Sequence, residues 1–419
     1  MSGRHVLVVG VSHHTARLEL RERLALREDA ARELLAELAA GDAISEAMVV
    51  STCNRTELYL ACADPVAAEL AAIDALAARA GVPATVLSAH CYVWRDGAAA
   101  RHVFSVASGL DSMILGEAQI LGQLRRAGAL AADAGTVGLV LDRLLREALG
   151  AGRRVRERTA IARASVSVSS AAVELARGAL GELAGRRVVV VGAGKSGELT
   201  AQALAAHGVE VVVMSRCPQK AARLAGLDGT AAGLEELCSE LARADVVLSA
   251  TSAPQPIIAR ADLEVAVAGR NGRAPLLVID LAVPRDVEPS ARSLPGVTLL
   301  DLDDIQARAD ANLAARRAHA GRAESLAASE ASRFERWRAS LGAVETVSAL
   351  RRRADAIVES LLADNDRRWE GLTEADRERV TALARAVASR LLDEPTRRLK
   401  ASAADPTALA AARELFALS

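Results

Sequence analysis

Cys53 stands in the run Ser51-Thr52-Cys53-Asn54-Arg55, between two strand-like stretches, AMVVST (47–52) and ELYLAC (57–62). A side chain at a strand end can be held rigidly at a cleft, and a cysteine there offers nucleophilic attack on an acyl carbon. Only the thiolate attacks well, so the site needs nearby positive charge or a base. Arg55 is the local cation, and its guanidinium could equally hold a substrate carboxylate by a bidentate contact. The plain alternative is a packed core cysteine. His102 is available as a general acid or base, or as a solvated histidine. Further on, SGLDSMILGEAQILGQ (108–123) sets Ser112, Glu117, Gln119 and Gln123 along a short glycine-hinged stretch that could line a pocket for a polar substrate. The competing reading is a helix N-terminus capped by Asp111 or Ser112.

Gly192-Ala193-Gly194-Lys195-Ser196-Gly197 follows the run VVVV and opens a helical stretch, which is the context a dinucleotide-binding turn requires. Gly192 allows the tight turn, Gly194 lets the backbone approach a pyrophosphate, and Gly197 permits close helix–strand packing. The helix N-terminus supplies free N–H groups to the phosphates. A nucleotide-triphosphate loop fails on spacing, because its first glycine would fall on Val189. Where NAD-specific sites place an acid, the chain reads Met214-Ser215-Arg216. Ser215, Arg216 and Lys220 could hold a 2′-phosphate instead, so NADPH is the expected cofactor.

These groups need elements to carry them. HVLVVGV (5–11), the two runs around Cys53 and a strand expected near 85–94, with helices over 16–40 and 65–80, give a small split βαβ sandwich of the ferredoxin-like kind. Residues 98–182 lack proline and read as helices broken at Gly109 and Gly135, with 163–180 a helix feeding the next domain. Strands at 186–191, 210–216, 245–251 and 276–282 alternate with helices, as in a parallel sheet covered on both faces. From 296 to 394 strand signals vanish, and charged positions alternate with Ala and Leu as in long helices that bury a face on a partner. Thr373 and Asp376 form a capping box there.

Composition bounds the rest. Of 419 residues, 51% are hydrophobic but only 2% aromatic, so the cores are built from Ala, Leu and Val. The 52 basic and 53 acidic residues leave no global attraction for nucleic acid, so any RNA contact depends on local patches. Arg-rich 153–158 and 351–353 are candidates, against ordinary solvated helix faces. Five cysteines without paired spacing fit a reducing cytoplasm. The apolar run at the N-terminus is too short for a signal peptide, and no stretch of 18 apolar residues suggests a membrane span.

On GVSHHTA (10–16), STCNRTELY (51–59), ASGLDSMILGEAQILGQ (107–123), SVSSAAVELA (167–176), GAGKSGELTAQAL (192–204) and LLDEPTRRLK (391–400), the chain resembles the glutamyl-tRNA reductases of C5-pathway tetrapyrrole (porphyrin, haem) synthesis. The resemblance implies that Cys53 is the nucleophile and that His102 matters for activity. Thr52, Asn54, Arg55, Ser112, Glu117, Gln119 and Gln123 would bind the glutamyl moiety, with Ala118 among them where the family usually has proline. Gly192 to Gly197 would bind NADPH, although Lys195 stands where an acid is common. The implied reaction is attack of Cys53 on glutamyl-tRNA(Glu), release of tRNA, and reduction of the thioester to glutamate-1-semialdehyde, with no metal. The resemblance also implies a homodimer joined through C-terminal helices and suggests transfer of the labile aldehyde to the aminomutase of the next step. The expected division is 1–155 catalytic, 156–305 linking helix and NADPH-binding Rossmann domain, and 306–419 helical dimerisation. The runner-up is an NADPH-dependent reductase of a free small metabolite; a non-catalytic NADP-binding scaffold is a third reading.

Overall fold

The computed structural model describes residues 5–113, 116–117, 119–159, 161, 168–205, 207–225, 229–270, 274–311, 313–369, 371–403 and 406–418. It divides into a unit ending at Ala331 and a second beginning at Ser332.

The first unit opens with β1 (His5–Ser12), α1 (Leu18–Leu24), α2 (Glu28–Ala40), β2 (Glu46–Ser51), β3 (Arg55–Cys62), α3 (Pro65–Ala80), α4 (Ala84–Ser88) and β4 (Tyr92–Arg95). The sheet order is β2-β3-β1-β4 with every pair antiparallel, the expected split βαβ arrangement. Val6 to Val9 and Val11 are wholly buried, so β1 is apolar on both faces rather than alternating. Asp64 caps α3 by accepting from the N–H groups of Val66 (2.8 Å) and Ala67 (3.3 Å), Pro65 fills the first helical position, and Gly81 closes the helix at φ 60°. The strand expected near 85–94 is corrected: 84–88 is a helical turn, closed by Val86 and Leu87 N–H on the Pro83 carbonyl, and only 92–95 is extended. Its β-branched Thr85-Val86 pair suggested a strand, but burial of Leu87 sets the turn. Helices α5 (Gly97–Ala107), α6 (Gln119–Asp133) and α7 (Leu139–Arg158) follow, breaking near Gly109 and Gly135 as expected.

After α8 (Val168–Leu180) comes the second sheet: β5 (Arg187–Val191), α9 (Lys195–Ala205), β6 (Glu210–Met214), α10 (Pro218–Ala225), β7 (Thr230–Ala232), α11 (Leu237–Arg243), β8 (Val246–Ser249), α12 (Arg260–Ala268), β9 (Leu276–Asp280), β10 (Val297–Leu300) and α13 (Leu302–Ala311). The parallel order β10-β9-β8-β5-β6-β7 is that of a doubly wound dinucleotide fold. Successive residues face opposite layers. Val188, Val190, Val246, Leu248 and Ile279 pack with α8, α9 and α13, whereas Val189, Val191, Val247 and Val278 pack with α11 and α12. β10 lies in the region expected to hold no strands; four residues on a sheet edge give too short a pattern to stand out.

The remaining helices are α14 (Leu313–Asp364), α15 (Glu374–Ala401) and α16 (Pro406–Leu415). The core of the second unit gathers Val347, Leu350 and Leu399 with Leu392, Leu409 and Phe416. Thr373 caps α15, its Oγ1 accepting from Asp376 N–H at 3.3 Å and donating to the Asp376 carboxylate at 2.7 Å. Among the described residues no helix is long and apolar enough to cross a membrane.

Two helical glycines should respond to alanine with opposite signs. A Cβ at Gly152 in α7 would lie 2.3 Å from the Ala107 carbonyl oxygen, whereas a Cβ at Gly321 in α14 meets nothing within 4 Å. Gly152→Ala is expected to lower unfolding stability by about 1–3 kcal/mol through overpacking, and Gly321→Ala to raise it by about 0.5–1 kcal/mol. Urea denaturation of the two variants checks both signs.

Candidate active site

The tip of the β2–β3 hairpin is built by its own polar groups. Thr52 N–H donates to the Arg55 carbonyl at 2.8 Å, and Thr52 Oγ1 accepts from the N–H groups of Asn54 and Arg55, each at 3.2 Å. His13 N–H ties the Asn54 carbonyl to the end of β1 at 2.9 Å. Cys53 is thereby fixed at the tip, half-buried, and packs against the apolar layer that α8 and α13 share with the second sheet. Its carbonyl accepts from Arg21 Nη1 at 2.8 Å. Burial first and the Glu117 carboxylate second push the thiol up to about 12, while Arg21 and Arg55 pull it back. Glu117 itself is raised to about 7 by burial. Asn54 is 7% exposed, and its Oδ1 has no hydrogen-bond partner among the described residues; the same holds for both ring nitrogens of His13.

Beneath the hairpin lies a buried ionic hub. Glu57, wholly buried, accepts from Arg55 Nη1 (2.6 Å), from Tyr59 Oη (2.6 Å) and from Tyr92 Oη, and its Oε1 lies 2.9 Å from His102 Nε2. Burial opposes this charge, but the Arg55 guanidinium, then His102, hold the carboxyl well below the usual range. Arg55, 2% exposed, also grips Asp111 through the carboxylate (2.9 Å) and the main-chain carbonyl. His102 stacks near Trp94 and Tyr92 and is joined to the hairpin through Glu57. The competing reading, a helix N-terminus capped by Asp111 or Ser112, does not hold for Asp111: α6 begins at Gln119, and the Asp111 carboxylate serves Arg55 and lies 3.6 Å from His14.

The segment bearing the other polar candidates is pinned at both ends. Gly116 N–H donates to the Gly109 carbonyl at 2.8 Å, and the Gly116 carbonyl accepts from Arg156 Nη1 at 2.6 Å. Gly116 has φ +84°, and a Cβ there would lie 2.4 Å from the Ile161 carbonyl oxygen. Arg156 and Arg154, which pairs with Glu330 at 2.9 Å, thus spend their side chains inside the fold. Ser112 follows Asp111 beside Arg55 and is half-buried, as are Glu117 and Gln119. Gln123 lines a groove with Ser51, Val49 and Leu26, beside β2 of the hairpin. Ala118 is outside the described residues.

The second sheet ends in a cradle. Gly192 takes φ +114°, and a Cβ there would lie 2.6 Å from the Ala250 carbonyl oxygen. At Gly197 a Cβ would meet the Gly192 carbonyl oxygen at 1.9 Å, the close helix–strand approach expected of the third glycine. At Gly194 nothing lies within 4 Å, which leaves the backbone open to a phosphate. Gly192, Ala193, Gly194, Lys195, Ser196, Ser215, Arg216 and Lys220 all line one cavity of about 510 Å³, into which Thr251 and Ser252 also face. Asp286, fully buried, fixes that wall by accepting from Ser249 Oγ (2.6 Å) and Thr251 N–H (2.7 Å). Lys195 pairs with Glu198 at 3.0 Å; among the described residues no carboxylate pairs with Arg216 or Lys220. The cradle fits a dinucleotide.

The sequence reading missed Arg21, Glu57, Tyr59, Tyr92 and Asp111 as site residues. One signal was available for two of them. Arg55, Glu57 and Tyr59 alternate along a strand whose eight residues are all buried, so their side chains share one face. A basic and an acidic group at that spacing in a buried strand must pair.

Comparison with known proteins adds the family. Residues 9–159 match the glutamyl-tRNA(Glu) reductase N-terminal domain, 174–308 the shikimate/quinate 5-dehydrogenase domain, and 322–418 the glutamyl-tRNA(Glu) reductase dimerisation domain. Glutamyl-tRNA reductase of Syntrophotalea carbinolica is 42% identical over 418 residues, covering 99% of this chain and 94% of that one. The proteins of that name from Desulforudis audaxviator and Moorella thermoacetica are each 41% identical, over 411 and 419 residues, covering 96% and 99% of this chain and 90% and 95% of theirs.

Glu57→Gln removes the charge that balances Arg55 in the interior. It is expected to cost about 3–5 kcal/mol of unfolding stability, toward the lower end because Asp111 still faces the guanidinium; chemical denaturation of the full chain measures it.

Proposed function

This chain belongs to the glutamyl-tRNA reductase family, and from that premise we propose that it reduces glutamyl-tRNA(Glu) to glutamate-1-semialdehyde through a thioester on Cys53, with NADPH as reductant. The observation that carries the reading is the position of Cys53: a hairpin tip packed against the apolar layer of the dinucleotide-binding half, with Glu117 as its strongest charged influence.

The resting thiol is neutral, so it needs a base. Glu117, with a pKa near operating pH, takes the Sγ proton as the sulfur attacks the ester carbonyl. The carbon–oxygen bond to the terminal ribose breaks, and Glu117 returns the proton to the departing oxygen, releasing tRNA and leaving the thioester. NADPH, when bound, supplies a hydride to an acyl carbon. Cys53 then leaves as thiolate while the aldehyde carbonyl re-forms, which splits one difficult reduction into two easier steps.

Around the acyl group we assign Thr52, Asn54, Arg55, Ser112, Glu117, Ala118, Gln119 and Gln123 to the glutamyl pocket. The buried Asn54 Oδ1 suits the substrate ammonium. Thr52 acts by shaping the hairpin, and His102 acts through Glu57, keeping that carboxylate charged and Arg55 oriented. Ser215, Arg216 and Lys220, with no carboxylate paired to either cation among the described residues, favour the 2′-phosphate of NADPH over the free ribose of NADH. Functionally the chain divides at 1–155, 156–305 and 306–419. Leu383, Val387 and Leu391 stand exposed at four-residue spacing on α15, an apolar face suited to a homodimer. The reactive aldehyde favours direct hand-over to an aminomutase.

Purified enzyme given glutamyl-tRNA and NADPH should form the semialdehyde, NADH should support it poorly, and prior ribonuclease treatment of the substrate should abolish it. Cys53→Ser should lose both product and trapped acyl-enzyme; substantial reductase activity in that variant, or activity after ribonuclease, would overturn the assignment.

A second outcome concerns pH. Below about 7 Glu117 is protonated and cannot accept the thiol proton, so acylation should rise as pH climbs through about 7. Glu117→Gln should lower the rate by about 10²–10⁴-fold and remove that rise, as read by single-turnover acylation.

A further inference from the structure

Helix α1 touches both the hairpin that carries Cys53 and the dinucleotide-binding half. Arg21, 3% exposed, spreads its guanidinium over three segments: Nε donates to the Ala16 carbonyl at 3.2 Å, Nη1 to the Cys53 carbonyl at 2.8 Å, and Nη2 to the Asp303 carboxylate. Asp303 lies in the first turn of α13, and its second oxygen accepts from Leu18 N–H at the start of α1 at 3.3 Å. One residue beyond Arg21, Glu22 takes Arg285, from the loop after β9, by three bonds: the main-chain N–H (2.6 Å), Nε (2.9 Å) and Nη2 (2.7 Å). Two adjacent residues of α1 therefore fasten to two separate segments of the dinucleotide-binding half, and one of them also holds the nucleophile's own carbonyl.

A buried guanidinium is costly unless its donors and charge are matched. Ala16 and Cys53 offer only carbonyls; the one carboxylate on Arg21 comes from α13. Its placement therefore depends on α13 standing against α1. We propose that Arg21 is a positioning residue for Cys53 and that Asp303 and the Glu22–Arg285 pair couple it to the dinucleotide-binding half, so that the acylated hairpin is held in register for reduction only while these latches are closed. This rests on the reading of Cys53 as the acyl carrier.

Acylation needs the hairpin and the substrate alone, whereas reduction needs an acyl carbon placed accurately against a group held by the other half, where a misplacement of about 1 Å costs on the order of 10²-fold. The test measures the two half-reactions separately on the full chain: acylation by glutamyl-tRNA without NADPH, then release of semialdehyde when NADPH is added to the acyl-enzyme. Glu22→Gln, and Asp303→Asn, whose amide oxygen still accepts from Nη2 and so leaves Arg21 on the Cys53 carbonyl, should acylate within about threefold of wild type yet reduce at least about tenfold more slowly. Arg21→Lys, which keeps the charge but cannot span both acceptors, should lose both half-reactions. Equal slowing of both half-reactions in Asp303→Asn and Glu22→Gln, or no slowing of reduction, would overturn the latch. Failure of the wild type to acylate at all would instead overturn the role of Cys53, and the latch with it.

Discussion

To act as the proposed nucleophile Cys53 must lose its proton, and it stands where burial holds the proton on. The thiol of Cys53 is pushed up to about 12, and both neighbouring arginines are already balanced by acids: Arg21 by Asp303, and Arg55 by Glu57 and Asp111. Neither cation is left with uncompensated charge to hold a thiolate. The proposed mechanism therefore starts from a neutral thiol and gives its activation to a carboxylate, Glu117, whose own burial brings it near neutrality.

The fold answers to this constraint. The hairpin tip is shaped by Thr52, and the hub around Glu57 anchors its base to β4 and α5 through Tyr92 and His102. Arg55 links that hub to Asp111, so the segment bearing Glu117 and the hairpin bearing Cys53 share one ionic anchor, while Arg156 pins the same segment at Gly116. On the other side, Cys53 packs against the apolar layer of the dinucleotide-binding sheet. Burial that raises the thiol also excludes the water that would hydrolyse an acyl group before reduction.

Much of this was legible in the sequence. The three glycines of the cradle could be assigned separate roles because a turn, a phosphate approach and a close packing contact each exclude a side chain for a different reason, and Gly192, Gly194 and Gly197 behave accordingly. The strands flanking Cys53 and the helix 65–80 form where the sequence places them. What stayed hidden depends on long-range pairing. Glu57 meets Tyr92 across 35 residues of chain, with β1 between their strands, and His102 across 45 through the packing of α5, which no local pattern records. Arg154 and Arg156 looked like a basic helix face until their partners, Glu330 and the Gly116 carbonyl, were in view. The turn at 84–88 and the edge strand β10 were misread because segments of four or five residues carry too little periodicity to distinguish.

The claim that Cys53 rests as a neutral thiol is tested most directly by its alkylation rate with iodoacetamide as a function of pH in the free enzyme. An ordinary cysteine titrates near about 8.5. A neutral resting thiol should alkylate slowly, at a rate that keeps rising beyond that point without a plateau; a plateau reached at or below neutral pH would show a stabilised thiolate and contradict it.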